Sequence, residues 1–158
     1  MAFRIIIDTR EQAEYSFACQ VVHRKLDAGD YSVEGFESRV AVERKSLPDF
    51  VHTVIHDFDR FAAELEKLSQ MDAACIVVEA DLDAVLRGLQ ADALRSVSPA
   101  SLLGAALHIS LRWHVPIYWC GSRQAACAFT DAFLRTFVRV AVQRDECHRQ
   151  ITGGAHCG

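Results

Sequence analysis

Residues 29–50 read Gly29-Asp30-Tyr31-Ser32-Val33, a break at Glu34-Gly35, and then Val40-Ala41-Val42-Glu43-Arg44-Lys45-Ser46-Leu47-Pro48-Asp49-Phe50. Two β-rich runs around a Gly-containing break predict a hairpin. Side chains on a strand alternate between faces. Glu43 and Lys45 therefore share a face with Ala41, while Val40, Val42 and Arg44 take the other. An acid and a base held side by side at the end of an apolar strand cost desolvation energy unless something uses them. Asp30, at the start of the first run, brings a second carboxylate within cross-strand reach. Past Lys45, Ser46 suits a helix N-cap and Pro48 its first turn.

Upstream, Ile5-Ile6-Ile7 predicts a strand over residues 3–9, buried on both faces and ending in Asp8-Thr9-Arg10-Glu11. Residues 19–26 read as a second strand. Downstream, Phe50, Val51, Val54, Ile55 and Phe58 keep the helical period, and Phe61, Leu65 and Leu68 continue it after a break near residues 57–59. Residues 73–80 form a buried strand, Asp81 caps a short helix to Leu89, and residues 90–97 read as a loop. Ser98-Pro99 opens a helix through Arg112 with Leu102, Leu103, Ala106, Leu107 and Leu111 inward. A last strand over 115–120 precedes a final helix ending near Gln143, and residues 144–158 read as a disordered tail. This order implies one α/β domain, residues 1–143, with a mixed central sheet flanked by helices.

An acid followed by Glu-x-Lys suits phosphodiester cleavage, with carboxylates on a divalent cation and the lysine facing the phosphate. Taken alone that pattern is short. Here Gly29-Asp30-Tyr31, Glu43-Arg44-Lys45, Asp49 and the upstream Asp8-Thr9-Arg10-Glu11 stand in one order. The string resembles the nuclease motif of the XPF/ERCC4 family, and the resemblance covers roughly residues 3–139. It implies a restriction-endonuclease-like fold and a structure-specific DNA endonuclease acting near single-strand/duplex junctions in repair or recombination. By the same resemblance Asp30, Glu43 and Asp8 hold Mg²⁺ or Mn²⁺, and Lys45 orients water or neutralises the phosphate. Arg10, Glu11, Arg44, Asp49 and Arg60 are accessory. Arg10 and Arg44 either clamp phosphate or lock the carboxylates. Arg60 either contacts phosphate or pairs with Glu64, which stands where the family often has glutamine. Asp49 also suits a helix first turn with no function at all.

The resemblance also sets the alternatives. Some family members keep the fold as non-catalytic, partner-binding subunits, and junction-resolving or restriction-type nucleases share it. Members usually carry a tandem helix-hairpin-helix module that binds DNA. Its absence here implies an isolated nuclease domain or a minimal member whose targeting to flap, fork or other branched DNA comes from a partner, and Met1 so near the motif suggests a natural start.

Composition agrees with a globular chain: 158 residues, 51% hydrophobic and 24% charged. Asp8 ends the N-terminal apolar run, which leaves no signal-peptide core, and the longest lightly charged segment, residues 99–111, is too short to span a membrane and carries His108. A cytoplasmic protein is expected, nucleoid-associated or nuclear according to its host. Net charge is −4, but arginine supplies 14 of the 17 basic residues, and arginine suits bidentate phosphate contacts. No basic run appears, so intrinsic DNA affinity should be weak. The six cysteines include no C-x-x-C pair and read as reduced thiols. His52 and His56 lack a third metal ligand, and Cys147-His148 with His156-Cys157 fall in the expected tail. The final helix has an apolar arc about 180° wide, well beyond the roughly 100° that packs one face. Phe129, Phe133, Phe137 and Val140 form one row, and Cys127, Leu134, Val138 and Ala141 another. The excess needs a cover, either a neighbouring helix such as residues 98–112 or a second copy of the chain. The resemblance implies the homodimer, since nuclease domains of this family pair through their late helices, with Val138 a candidate contact.

Overall fold

The computed structural model describes residues 2–153. Six strands form one sheet: β1 (Arg4–Ile7), β2 (Gln20–His23), β3 (Tyr31–Val33), β4 (Val40–Lys45), β5 (Ala73–Val78) and β6 (Ile117–Trp119). Their spatial order is β2-β1-β3-β4-β5-β6. β3 runs antiparallel to both β1 and β4, whereas β2 pairs with β1, and β4, β5 and β6 pair in sequence, in parallel. The sheet is therefore mixed, as expected.

Alternation along β4 decides what covers each face. Ala41 joins Ile76 and Val78 in a core with α1 (Leu47–His56), α2 (Phe58–Ser69), α3 (Leu82–Leu86) and α4 (Pro99–Trp113). Val40 and Val42 join Ile5, Ile7, Tyr31, Cys75 and Val77 beneath α5 (Arg123–Gly153). Ile5, Ile6 and Ile7 are all buried, the outcome of a strand covered on both faces. Ser46 caps α1, its hydroxyl accepting the Asp49 N–H at 3.2 Å, with Pro48 in the first turn. Asp81 and Ser98 cap α3 and α4 in the same way. The break between α1 and α2 falls at Asp57.

Three expectations are corrected. Leu107 and Leu111 do not face inward: they are 53% and 74% exposed, while Leu102, Ala106 and Ile109 fill the core. The α4 pattern is apolar on more than one face, and its packing with α1, α2 and α3 covers only one. The final helix does not end near Gln143 but continues to Gly153, so residues 144–153 are helical rather than disordered. His156 and Cys157 lie outside the described residues. On α5 the buried side chains are Ala126, Thr130, Leu134 and Ala141. Val138 is half-buried against the sheet-side core, so its row is the covered one. Phe129, Phe133 and Phe137 are half-buried against the same core, and with the exposed Val140 their outer edges line an apolar groove of about 480 Å³.

Among the described residues all cysteines are free thiols, and no helix is long and apolar enough to cross a membrane.

Candidate active site

The expected residues meet at one end of the central strands. A cleft of about 260 Å³ is lined by Asp8 and Arg10 after β1, by Gly29 and Asp30 before β3, and by Glu43 and Lys45 on β4. Thr53, Asp57, Arg60, Phe61 and Glu64 of the α1–α2 hairpin form its opposite wall. A smaller neighbouring hollow adds Glu11, Arg44 and Asp49. Asp30, Glu43 and Lys45 line both, so they stand at the junction.

Gly29 sets the position of Asp30. Its φ is +78°, and a Cβ there would stand 2.8 Å from Ala41 Cβ and 3.3 Å from the Val42 carbonyl oxygen. Only glycine permits both the left-handed conformation and so close an approach to β4. Asp30 then donates its N–H to Val42 O at 2.9 Å and accepts the Asp8 N–H on its carbonyl at 2.8 Å. Its Oδ2 accepts the backbone N–H of Arg44 at 2.7 Å, while Oδ1 has no partner among the described residues.

Glu43 is buried at 8% exposure. Its Oε1 lies 3.3 Å from Lys45 Nζ. The Lys45 ammonium also sits 4.9 Å from the centroid of the Phe61 ring, held between a carboxylate and an aromatic face. Burial raises the Glu43 pKa above the ordinary carboxylate range, and the nearby Asp30 charge raises it further, against the pull of Lys45. Asp30 is also raised, chiefly by burial, with the Arg44 N–H opposing. Two carboxylates short of positive charge share one opening.

Asp8 is a different case. Both its oxygens are committed: Oδ1 accepts the N–H and Nε–H of Arg10, each at 2.8 Å. Oδ2 accepts Arg10 Nη2 at 3.1 Å and the Leu26 N–H at 2.6 Å. Burial works to raise its pKa, but these bonds outweigh it and the net shift is downward. Four donors on two oxygens make Asp8 the organiser of its loop. Arg10 also donates to Leu26 O at 2.9 Å, so it locks a carboxylate and a turn.

Arg44 likewise locks carboxylates. It points to the face opposite Glu43 and lies half-buried between Glu11, at 3.0 Å, and Glu79. Arg123 at the start of α5 adds a second cation 3.5 Å from Glu79. Burial lowers the Arg44 pKa, yet Glu11 and Glu79 together carry it well above the usual value. Asp49 is exposed in the first turn of α1. Arg60 pairs with Asp57 at 3.7 Å, not with Glu64, and remains 87% exposed at the cleft.

Sequence reasoning had no role for Thr53 and Asp57, and none for Glu64 beyond a pairing with Arg60 that does not form. Only the turn between α1 and α2 brings them to the cleft, and no strand or helix period announces that. Among the described residues no three His, Cys, Asp or Glu side chains form a ready metal cluster. The open oxygen donors include Asp30 Oδ1 and Glu43 Oε2, with Glu64 Oε2 on the opposite wall, and their hard, anionic character suits a divalent cation.

Archaeal XPF from Aeropyrum pernix superposes with a TM-score of 0.65 at 20% identity, over 98% of this chain and 75% of that one. XPF from Aeropyrum pernix in complex with DNA gives the same TM-score and identity, over 86% of this chain and 65% of that one. At such identity these matches establish the mixed α/β fold. No protein of curated function matches the sequence significantly. A family profile described as the ERCC4 domain matches residues 7–133, from the last isoleucine of β1 to the middle of α5 and across every residue of the cleft, and by that match the chain belongs to the ERCC4-domain family, a family of DNA-endonuclease type.

Proposed function

We propose that this protein is a metal-dependent, structure-specific DNA endonuclease that hydrolyses one strand near a single-strand/duplex junction. The observation that carries the reading is the pair Asp30 and Glu43. Both are raised in pKa by burial, both keep an oxygen free, and Lys45 stands 3.3 Å from Glu43 in the same polar cleft. Carboxylates in that state are poised to take up a divalent cation, because its charge removes the penalty of ionising them.

Asp30 and Glu43 would hold Mg²⁺ or Mn²⁺, which when bound would acidify the attacking water and offset charge developing on the phosphate. The chain's own groups do the rest. Lys45, restrained by Glu43 and the Phe61 ring, faces the reacting phosphate oxygen or the water. The Arg44 N–H holds Asp30 Oδ2 and leaves Oδ1 towards the cleft. Asp8 and Arg10 tie the loop after β1 to Leu26 and keep that wall in place. Arg60, extended into solvent at the rim, is suited to a flanking phosphate. Asp49, at the mouth beside Glu43, is an accessory carboxylate.

The test is a substrate panel of flaps, forks, four-way junctions and plain duplex, with Mg²⁺, with Mn²⁺ and in EDTA. The reading expects cation-dependent cleavage of branched substrates over duplex. Selective cutting of four-way junctions would favour a junction-resolving enzyme. Binding without cleavage in either cation would make the protein a non-catalytic subunit of the same fold.

The open groove on α5 supports a second assignment, a homodimer. Its phenylalanines are only half-covered by the core, and with the 38%-exposed Val140 they leave an apolar surface open among the described residues.

A further inference from the structure

Glu64 of α2 reaches across the cleft and accepts the backbone N–H of Gly29 on Oε1 at 2.8 Å. That N–H has no place in the sheet. β3 begins at Tyr31, and it is the N–H of Asp30, not Gly29, that meets Val42 O. Gly29 is buried, so its amide would stand unpaired without Glu64, and unpaired buried amides are rare. The turn runs so close to β4 that a Cβ at Gly29 would stand 2.8 Å from Ala41 Cβ. The other tie from α2 to this segment is Lys67 Nζ to Asp27 O at 3.2 Å, made by a half-exposed lysine farther out. Glu64 Oε2 has no hydrogen-bond partner among the described residues, and the side chain lines the cleft together with Asp30, Glu43 and Lys45.

We propose that Glu64 is a positioning residue of this site: by accepting the Gly29 N–H it fixes the turn that presents Asp30 and so sets the spacing of the Asp30 and Glu43 carboxylates. The proposal rests on the reading of these two as the cation-holding pair. What the geometry requires at position 64 is an acceptor of this length rather than a charge. Glutamine supplies one through Oε1, and alanine does not.

The experiment compares wild type, Glu64→Gln and Glu64→Ala in three readouts. These are kcat and KM on a branched DNA substrate, the Mg²⁺ midpoint for the rise in melting temperature, and exchange of the Gly29 amide by NMR. Glu64→Ala should lose about 10–100-fold in kcat or in Mg²⁺ affinity, the usual loss when a ligand's supporting partner goes. KM should change little, and the Gly29 amide should exchange freely. Glu64→Gln should recover most of the loss and restore amide protection. If Glu64→Ala keeps wild-type kcat and Mg²⁺ midpoint, or if Glu64→Gln is as impaired as Glu64→Ala, the proposal is wrong. If Glu64→Ala fails to fold, Glu64→Gln alone decides by the same criteria. If the wild type cuts no DNA, the nuclease reading falls on its own, and the Gly29 amide with the Mg²⁺ midpoint still judges the Glu64 clamp. A wild type that also ignores both cations removes the pair on which the clamp was argued, and the clamp with it.

Discussion

Arg44→Met tests whether the middle residue of Glu43-Arg44-Lys45 holds the fold or grips DNA. Methionine keeps most of the stem's volume, so the loss is chiefly that of the guanidinium. Its removal leaves two carboxylates whose side chains are only 5% and 8% exposed, Glu11 and Glu79. Breaking a buried ion pair from one side costs about 3–5 kcal/mol, because the remaining charge stays buried without its partner. Glu79 keeps Arg123 at 3.5 Å, so one carboxylate is not wholly orphaned. Glu11 keeps only the Ala13 N–H, at 2.8 Å. The low end applies, about 3 kcal/mol. For a chain of this size that lowers the melting temperature by roughly 6–12 °C.

The assay is thermal or urea unfolding in EDTA near neutral pH, so that no bound cation masks the change. Glu11→Gln in the Arg44→Met background removes the orphaned charge and should recover about half of the loss. Asp30 is held by the Arg44 backbone N–H, which methionine also has. Turnover per folded molecule in the cold should therefore survive. A stability loss below about 1 kcal/mol, no recovery with Glu11→Gln, or a protein of normal stability that no longer binds DNA would refute this reasoning and make Arg44 a phosphate contact.

Four other outcomes are expected. Glu43→Ala should abolish cleavage and the Mg²⁺-dependent rise in melting temperature while the apo protein stays folded; cation-independent cleavage, or full activity in this variant, would end the assignment. Lys45→Arg should lose most of its turnover and little DNA affinity, since a planar guanidinium cannot replace a compact ammonium between Glu43 and Phe61; steady-state kinetics against a binding isotherm separates the two. Metal-free protein should lose stability as pH rises above the ordinary carboxylate range of about 4, because Asp30 and Glu43 bind protons more tightly folded than unfolded, and added Mg²⁺ should flatten that slope. Wild type should scatter light as a dimer at tens of micromolar and Phe133→Glu as a soluble monomer; a monomeric wild type, or a variant that stays dimeric, contradicts the interface.

Periodicity carried most of the fold. Alternation on β4 put Glu43 and Lys45 on the α1–α2 side and Arg44 under α5, and Ile5-Ile6-Ile7 announced a strand covered on both faces. Local chemistry named the caps Ser46, Asp81 and Ser98. Periodicity failed where an arc was wider than one partner can cover. Leu107 and Leu111 satisfy the α4 pattern as well as Ala106 does, and only the packing of α4 with α1, α2 and α3 chooses between them. Val138 and Phe133 pose the same problem on α5. The far wall of the cleft was illegible for another reason. Thr53 and Glu64 reach it from two helices whose crossing no linear pattern encodes.

The carboxylates show where sequence stops and environment begins. Asp8, Asp30 and Glu43 stand in motif positions that look alike, and each is screened from solvent. Burial by itself pushes all three towards the protonated form. What separates them is the count of donors. Asp8 collects four hydrogen bonds, among them both arms of a guanidinium, and stays ionised with no outside help. Asp30 collects one and Glu43 a single lysine, so each is left with charge it cannot hold cheaply. A divalent cation gains most where the protein has supplied least, because there its charge answers an unmet cost rather than displacing bonds already made. On that argument a divalent cation would sit with Asp30 and Glu43, and Asp8 would belong to the frame around them. Arg10→Ala offers the converse case: stripped of its guanidinium, the Asp8 carboxylate would rise in pKa and turn from frame into an additional cation ligand. The observable is a Mg²⁺ midpoint that shifts in Arg10→Ala but not in Arg10→Ala/Asp8→Asn, and an unchanged midpoint in both would show that donor count does not decide where the cation sits.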